Sequence, residues 1–339
     1  MDALDIGLAV PLPWQNEMWQ RLQRQREANQ LPHALLLAGP EGVGKRRFAT
    51  ALAASLLCLA PSNGLACGQC RGCGLMAAGT HPDWAWLAPE ERGKAIKIDQ
   101  VRDLVESMAQ TAQQGGRKLA VLAPAEAMNR NAANALLKTL EEPSGSAMLL
   151  LISDSPARLL PTIRSRCQRL DFPVPALTDA SAWLAPLAGD PKRMALAMAE
   201  AGDRPLLARQ LLESDGLEQR QELTRTLAAV LDGKLSILAA AEAWQDQDWD
   251  GLLDWLQARL AMAVRVQTAG AAAIDESVTA LAAIAAPDLF GFIDRLRDVQ
   301  RHSRAGGNPN KQLALEAVLI DLCDAVNGKS VTFKLGGKP

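Results

Sequence analysis

The chain has 339 residues, 48% of them hydrophobic, which suits about two or three folded domains and excludes a disordered polymer. Its formal net charge is -2, so no overall basic field draws it to nucleic acid; any contact with DNA has to be local or shared with partners. The start, Met1 to Asp5, carries two acids and no basic segment, and no run of 18 apolar residues occurs, so a soluble cytoplasmic protein without secretory signal or membrane span is expected.

The first half alternates short apolar runs with helical periodicity, the pattern of α/β folds. Ala34 to Ala38 reads as a buried strand ending in Gly39. Gly39-Pro40-Glu41-Gly42-Val43-Gly44-Lys45 then fits the first seven positions of a Walker A loop, and Arg46 to Leu59 reads as the helix behind it. Gly39, Gly42 and Gly44 allow backbone N–H groups to close around phosphate oxygens at a helix N-terminus, and Lys45 adds a point charge. The eighth position calls for a hydroxyl to ligate magnesium, yet it holds Arg46, which cannot bind a cation. Hydrolysis is therefore not expected, binding of ATP at this vestigial loop stays open, and a ligand-free Gly-rich turn is the plainer alternative.

Four of the six cysteines, Cys58, Cys67, Cys70 and Cys73, are spaced C-x8-C-x2-C-x2-C, the first at the end of that helix and the others in a stretch that reads as a Gly-rich loop. Four thiolates so spaced suit a closed, structural tetrahedral zinc site; redox-active or unrelated free thiols are the alternatives. His81 reads as a hydrogen-bonding loop residue rather than a fifth ligand, and Cys167 and Cys323 as buried small hydrophobes.

Trp84 to Leu87 reads as a strand, Ile98 to Gln113 as a helix and Lys118 to Leu122 as the next strand. A Walker B strand ends in an acid that holds magnesium, but this one runs into Ala123-Pro124-Ala125, with Glu126 displaced by some residues. Helix Asn131 to Glu142, strand Met148 to Ile152, a short helical segment Leu159 to Ser165 and a brief strand after Cys167 follow. Beyond Pro173 strand signals disappear and helix formers dominate, with breaks near Gly189, Gly202, Gly233, 246–250, Gly270, Pro287 and 304–309, and a Gly- and Lys-rich end expected to fray. The eight tryptophans are scattered and read as core or interface residues. Arg21, Arg24 and Arg26 with Lys45, Arg46 and Arg47 form either a local basic surface or a solvated helix face. Three histidines give no plausible hydrolytic triad.

Two strings carry a family resemblance. Asn134-Ala135-Leu136-Leu137-Lys138-Thr139-Leu140-Glu141-Glu142-Pro143 closely resembles the segment after the Walker B strand in bacterial clamp-loader AAA+ subunits, and Leu159 to Cys167 resembles their segment ending in Ser-Arg-Cys. With the phosphate loop and the cysteine cluster, the likeness spans about residues 10–175. Degraded Walker motifs beside an intact Ser165-Arg166-Cys167 are the combination of the family's delta-prime branch. The resemblance implies an α/β AAA+ P-loop domain with an inserted zinc module (1–172), a small helical lid domain (173–214) and an all-α collar domain for oligomerisation (215–339).

It further implies a non-catalytic subunit of the DNA polymerase III clamp loader in the nucleoid. Such a subunit works with gamma or tau and delta subunits, a sliding clamp and primed DNA. Arg166, flanked by Ser165, would reach the ATP of an adjacent motor subunit; a plain surface arginine is the other reading. Two functional alternatives stand beside this one. An ATP-hydrolysing motor subunit is opposed by Arg46 and Ala123-Pro124, and a stand-alone zinc DNA-binding protein by the near-neutral charge.

Overall fold

The computed structural model describes residues 9–91, 93–114, 116–143, 145–304 and 310–329. The acidic start, the break over 305–309 and the Gly- and Lys-rich end lie outside the described residues. The chain forms two compact units, one made of residues 1–194 with 203–209 and the other of 195–202 with 210–339.

The first unit is built on five parallel strands in the order β2-β3-β4-β1-β5. They are β1 (Ala34–Ala38), β2 (Trp84–Leu87), β3 (Leu119–Leu122), β4 (Met148–Ser153) and β5 (Gln168–Asp171). The central strands β1, β3 and β4 are buried throughout, because helices cover both faces of the sheet and leave no polar side to alternate with. Leu35 and Leu37 face a core with Phe48, Leu52 and Phe172, while Ala34, Leu36 and Ala38 face a second core with Val101, Leu104 and Leu136.

The helices of this part are α1 (Asn16–Glu27), α2 (Lys45–Leu57), α3 (Arg71–Ala77), α4 (Ile98–Ala109), α5 (Arg130–Glu141) and α6 (Pro161–Arg164). Helix α1 has no counterpart among the expected elements, and α3 lies where a loop was expected. Glycines mask α3 in the sequence, but the Cys70 sulfur caps its N-terminus by accepting the Cys73 N–H. Helix α4 stops at Ala109 rather than Gln113, because the N–H groups of Gln113 and Gln114 donate to the buried carboxylate of Asp83 at 2.8 and 2.9 Å. The remaining strands and helices of the sheet region fall within a residue or two of their expected bounds.

Then come α7 (Leu177–Ala188), α8 (Pro191–Glu200), α9 (Pro205–Glu213), α10 (Gly216–Leu231), α11 (Ile237–Trp244), α12 (Trp249–Ala269), α13 (Glu276–Leu281), α14 (Ala286–Arg304) and α15 (Lys311–Val326). The break expected near Pro287 falls at 282–285, and Pro287 itself sits in the first turn of α14, where a missing N–H is harmless. The second unit has one core, contributed by α10 to α15 and centred on Trp244, Trp255, Leu256, Phe292 and Leu319. Within it Arg259 is fully buried, its guanidinium lies over the Trp255 ring, and it pairs with Glu200 and Asp275 and donates to the Thr224 hydroxyl at 2.6 Å. Burial raises the Glu200 carboxyl and the guanidinium opposes that shift. Among the described residues no helix is long and apolar enough to cross a membrane.

Removing one partner of such a cluster strands a buried charge. Arg259→Ala is expected to lower the unfolding free energy by about 3–5 kcal/mol, with Arg259→Met less damaging because it fills the space without a charge. Urea titrations of the variants measure both.

Candidate functional site

The phosphate-type loop leaves the carboxyl end of β1, the edge at which parallel sheets present their ligand-binding loops. Gly39 touches the end of β5 so closely that a Cβ would lie 2.0 Å from the Phe172 carbonyl oxygen. Gly44 has φ 96°, in the left-handed region, and a Cβ there would meet Leu12 at 2.4 Å. The turn is therefore shaped by contacts that only glycine permits.

Two segments cover the loop. Trp14 Nε1 and Gln15 Nε2 both donate to the Val43 carbonyl at 3.1 Å, and the Leu206 N–H donates to the Gly42 carbonyl at 3.0 Å. Lys45 is buried; its Nζ donates to the Gly39 and Pro40 carbonyls at 2.6 Å each and pairs with Asp154 Oδ1 at 2.6 Å. An ammonium has three N–H bonds, so all are matched by acceptors of the same chain. Lys45 is accordingly no part of a basic surface. Arg46 lies over the Trp86 ring at 5.9 Å, while Arg26 donates to Ser55 Oγ at 2.8 Å.

Past the tip of β3, Glu126 is committed elsewhere: its Oε1 accepts the N–H groups of Asp154 and Ser155 at 2.8 and 2.9 Å. This carboxylate holds the turn after β4 and brings Asp154 to Lys45. Asp154 was not picked out from the sequence; its signal was an acid directly after an apolar strand that pairs with β1.

Arg166 follows α6, whose Ile163 is buried beside Leu136 and Leu140 of α5. Its Nη1 donates to the Thr162 carbonyl at 3.0 Å and its Nη2 pairs with Glu141 at 2.7 Å; the side chain is 35% exposed. Ser165 Oγ donates to the same Thr162 carbonyl at 3.1 Å. Arg169 pairs with Asp171 on its own strand. Cys167 is buried, and burial pushes its thiol up to about 12.

The four clustered cysteines converge, their sulfurs all within 4.8 Å of one another. The closest separations are 3.5 Å for Cys70–Cys73, 3.8 Å for Cys58–Cys70 and 4.0 Å for Cys67–Cys73. A tetrahedron with metal–sulfur bonds of about 2.3 Å has edges of about 3.8 Å, so four sulfurs spaced this way can bind a metal. Backbone N–H groups of Cys67, Leu59 and Cys73 point at the Cys58 and Cys70 sulfurs at 3.2, 3.5 and 3.4 Å. Gly72 lets α3 approach α2, since a Cβ would lie 2.5 Å from the Leu57 carbonyl oxygen.

Burial raises the Cys70 thiol, yet those N–H groups and the neighbouring thiols bring it down to about 6. Cys73 is pushed up to about 12 by burial and by the Cys70 and Cys58 sulfurs. His81 stands apart from the cluster and accepts the Asp83 N–H at Nδ1, 3.1 Å. Of the tryptophans, Trp19, Trp244, Trp249 and Trp255 are buried and the others half-buried, which suits core and interface packing.

Comparison with known proteins fits this geometry. Residues 14–176 match the family model described as "DNA polymerase III, delta subunit", and residues 214–324 match "DNA polymerase III, delta subunit, C terminal". The chain is 48% identical over 245 residues to DNA polymerase III subunit delta' of Pseudomonas aeruginosa, covering 72% of this chain and 74% of that one. It is 33% identical over 320 residues to the subunit of the same name from Yersinia pestis, covering 91% and 94%. With the Escherichia coli subunit delta' it shares 36% over 219 residues, covering 64% and 65%.

The sulfur environments predict an order of reactivity. In chelator-treated protein at pH 7, Cys70 is expected to react with iodoacetamide ahead of Cys73 and Cys167, whose thiols are pushed up to about 12, and its labelling is expected to slow as pH falls through about 6. Mass spectrometry of the peptides measures this; equal labelling of the three would contradict it.

Proposed function

Because this chain belongs to the delta-prime family of DNA polymerase III subunits, we propose that it is the non-hydrolysing subunit of a clamp loader that lends Arg166 to the ATP site of an adjacent motor subunit. In that reading gamma or tau and delta subunits are its partners, residues 173–214 are the lid and 215–339 the collar, and the assembly places a sliding clamp on primed DNA.

One contrast carries the reading. The chain's own loop has Arg46 where a magnesium-binding hydroxyl belongs, no acid at the tip of β3, and a lysine already satisfied by Gly39, Pro40 and Asp154. Arg166, by contrast, keeps a third of its side chain in solvent at the end of a short, anchored helix. Phosphoryl transfer spreads negative charge over the transferred group, and a guanidinium meets that charge with a planar fork that stays protonated. Lys45, Gly39, Gly42 and Gly44 are then a vestigial loop retained for its shape. The motor-subunit alternative is not favoured, since it needs the two missing magnesium ligands.

For the cysteine cluster we propose zinc as the metal, because four thiolates in tetrahedral spacing with no open position match a closed structural site. It would tie the end of α2 to the start of α3, and its chemistry would be confined to holding them together.

Two outcomes follow. Protein purified without added metal is expected to carry about one zinc per chain, and Cys73→Ser to lose it, as elemental analysis would measure. In a reconstituted loader, Arg166→Ala is expected to leave assembly intact and to lower ATP turnover at the site it faces by about 10³-fold or more. Unchanged DNA-stimulated turnover in that variant would contradict the assignment.

A further inference from the structure

The ion pair between Arg166 and Glu141 joins two segments that are far apart in sequence and gives the arginine an orientation. We propose that Glu141 is a positioning residue for Arg166: its carboxylate holds the guanidinium ready to meet the phosphates of a nucleotide bound by a neighbouring subunit. This inference rests on the reading of Arg166 as an arginine offered in trans.

Glu141 is the last residue of α5 and is followed closely by Pro143, so its backbone is fixed where the helix stops. Its Oε1 lies 2.7 Å from Arg166 Nη2, while the Thr162 carbonyl of α6 accepts from Nη1 at 3.0 Å. The guanidinium is thus gripped at both Nη atoms, one from α5 and one from α6, and those two helices share a buried core through Leu136, Leu140 and Ile163. A long side chain with several rotatable bonds would otherwise have to be ordered each time it met a phosphate. Holding it beforehand removes that ordering step.

The grip does not cover the arginine. A guanidinium has five N–H bonds, and contacts to Thr162, Ser165 and Glu141 use three of them, leaving part of the fork for phosphate oxygens. Glu141 itself is about half exposed, and a partly solvated pair of this kind contributes little to folding. Its effect therefore falls on turnover and not on stability.

The test uses the reconstituted loader with wild-type chain, Glu141→Ala, Glu141→Gln, Arg166→Ala and the double variant Glu141→Ala/Arg166→Ala, measuring DNA-stimulated ATP hydrolysis. Glu141→Ala is expected to lower kcat by about 10-fold with KM for ATP and the thermal midpoint unchanged. Glu141→Gln, which keeps an oxygen on the same stem, is expected to fall between Ala and wild type. The double variant is expected to match Arg166→Ala alone, because a positioning residue has no effect once its target is gone. Normal kcat in Glu141→Ala beside an impaired Arg166→Ala, or additive losses in the double variant, would overturn the role of Glu141 while sparing that of Arg166. Normal turnover in Arg166→Ala would remove both.

Discussion

The Lys45 ammonium, closed between two carbonyls of its own loop and the carboxylate of Asp154, is the contact around which the site is organised. It ties the turn after β1 to the turn after β4, and Glu126 secures the second turn by accepting two of its N–H groups. The loop is thus closed by groups of its own chain. Arg46, next to Lys45 in the chain, lies over Trp86 on the edge strand.

A loop fixed in this way keeps a use as scaffolding. Leu12 to Gln15 and the start of α9 both seat on it, and the glycines leave the room these segments need. The cysteine cluster fixes the far end of α2 in a similar way, with α3 drawn to it through Gly72 and the Cys70 cap. Helix α2 is therefore held at both ends. On the other face of the sheet, α5 and α6 share a core and carry Glu141 and Arg166 at their tips. In the proposed reading this rigid frame is what a non-hydrolysing subunit offers its neighbour.

Much of this was legible in the sequence because the signals were local. The strand over Ala34 to Ala38 and the one over Trp84 to Leu87 have the expected bounds, since apolar runs closed by Gly or a polar turn leave little choice. The sulfur spacing announced a cluster, and the Ser-Arg-Cys string drew attention to Arg166. What escaped was set by partners distant in the chain. Asp154 looks like any acid at a strand end until Lys45 is placed beside it. Glu141 is one of two adjacent glutamates in a helix end, and only the packing of α5 on α6 selects it. Helix α4 is shortened by Asp83, thirty residues from the N–H groups it captures, and α3 hides in a glycine-rich stretch because its cap is a sulfur.

On the proposed reading, this molecule cannot turn over ATP at its own loop. Magnesium-dependent ATP hydrolysis by the purified single chain, with no companion subunit present, tests it most directly. No turnover above buffer and no change on Lys45→Ala are expected. Sustained hydrolysis that needs magnesium and disappears with Lys45→Ala would contradict it.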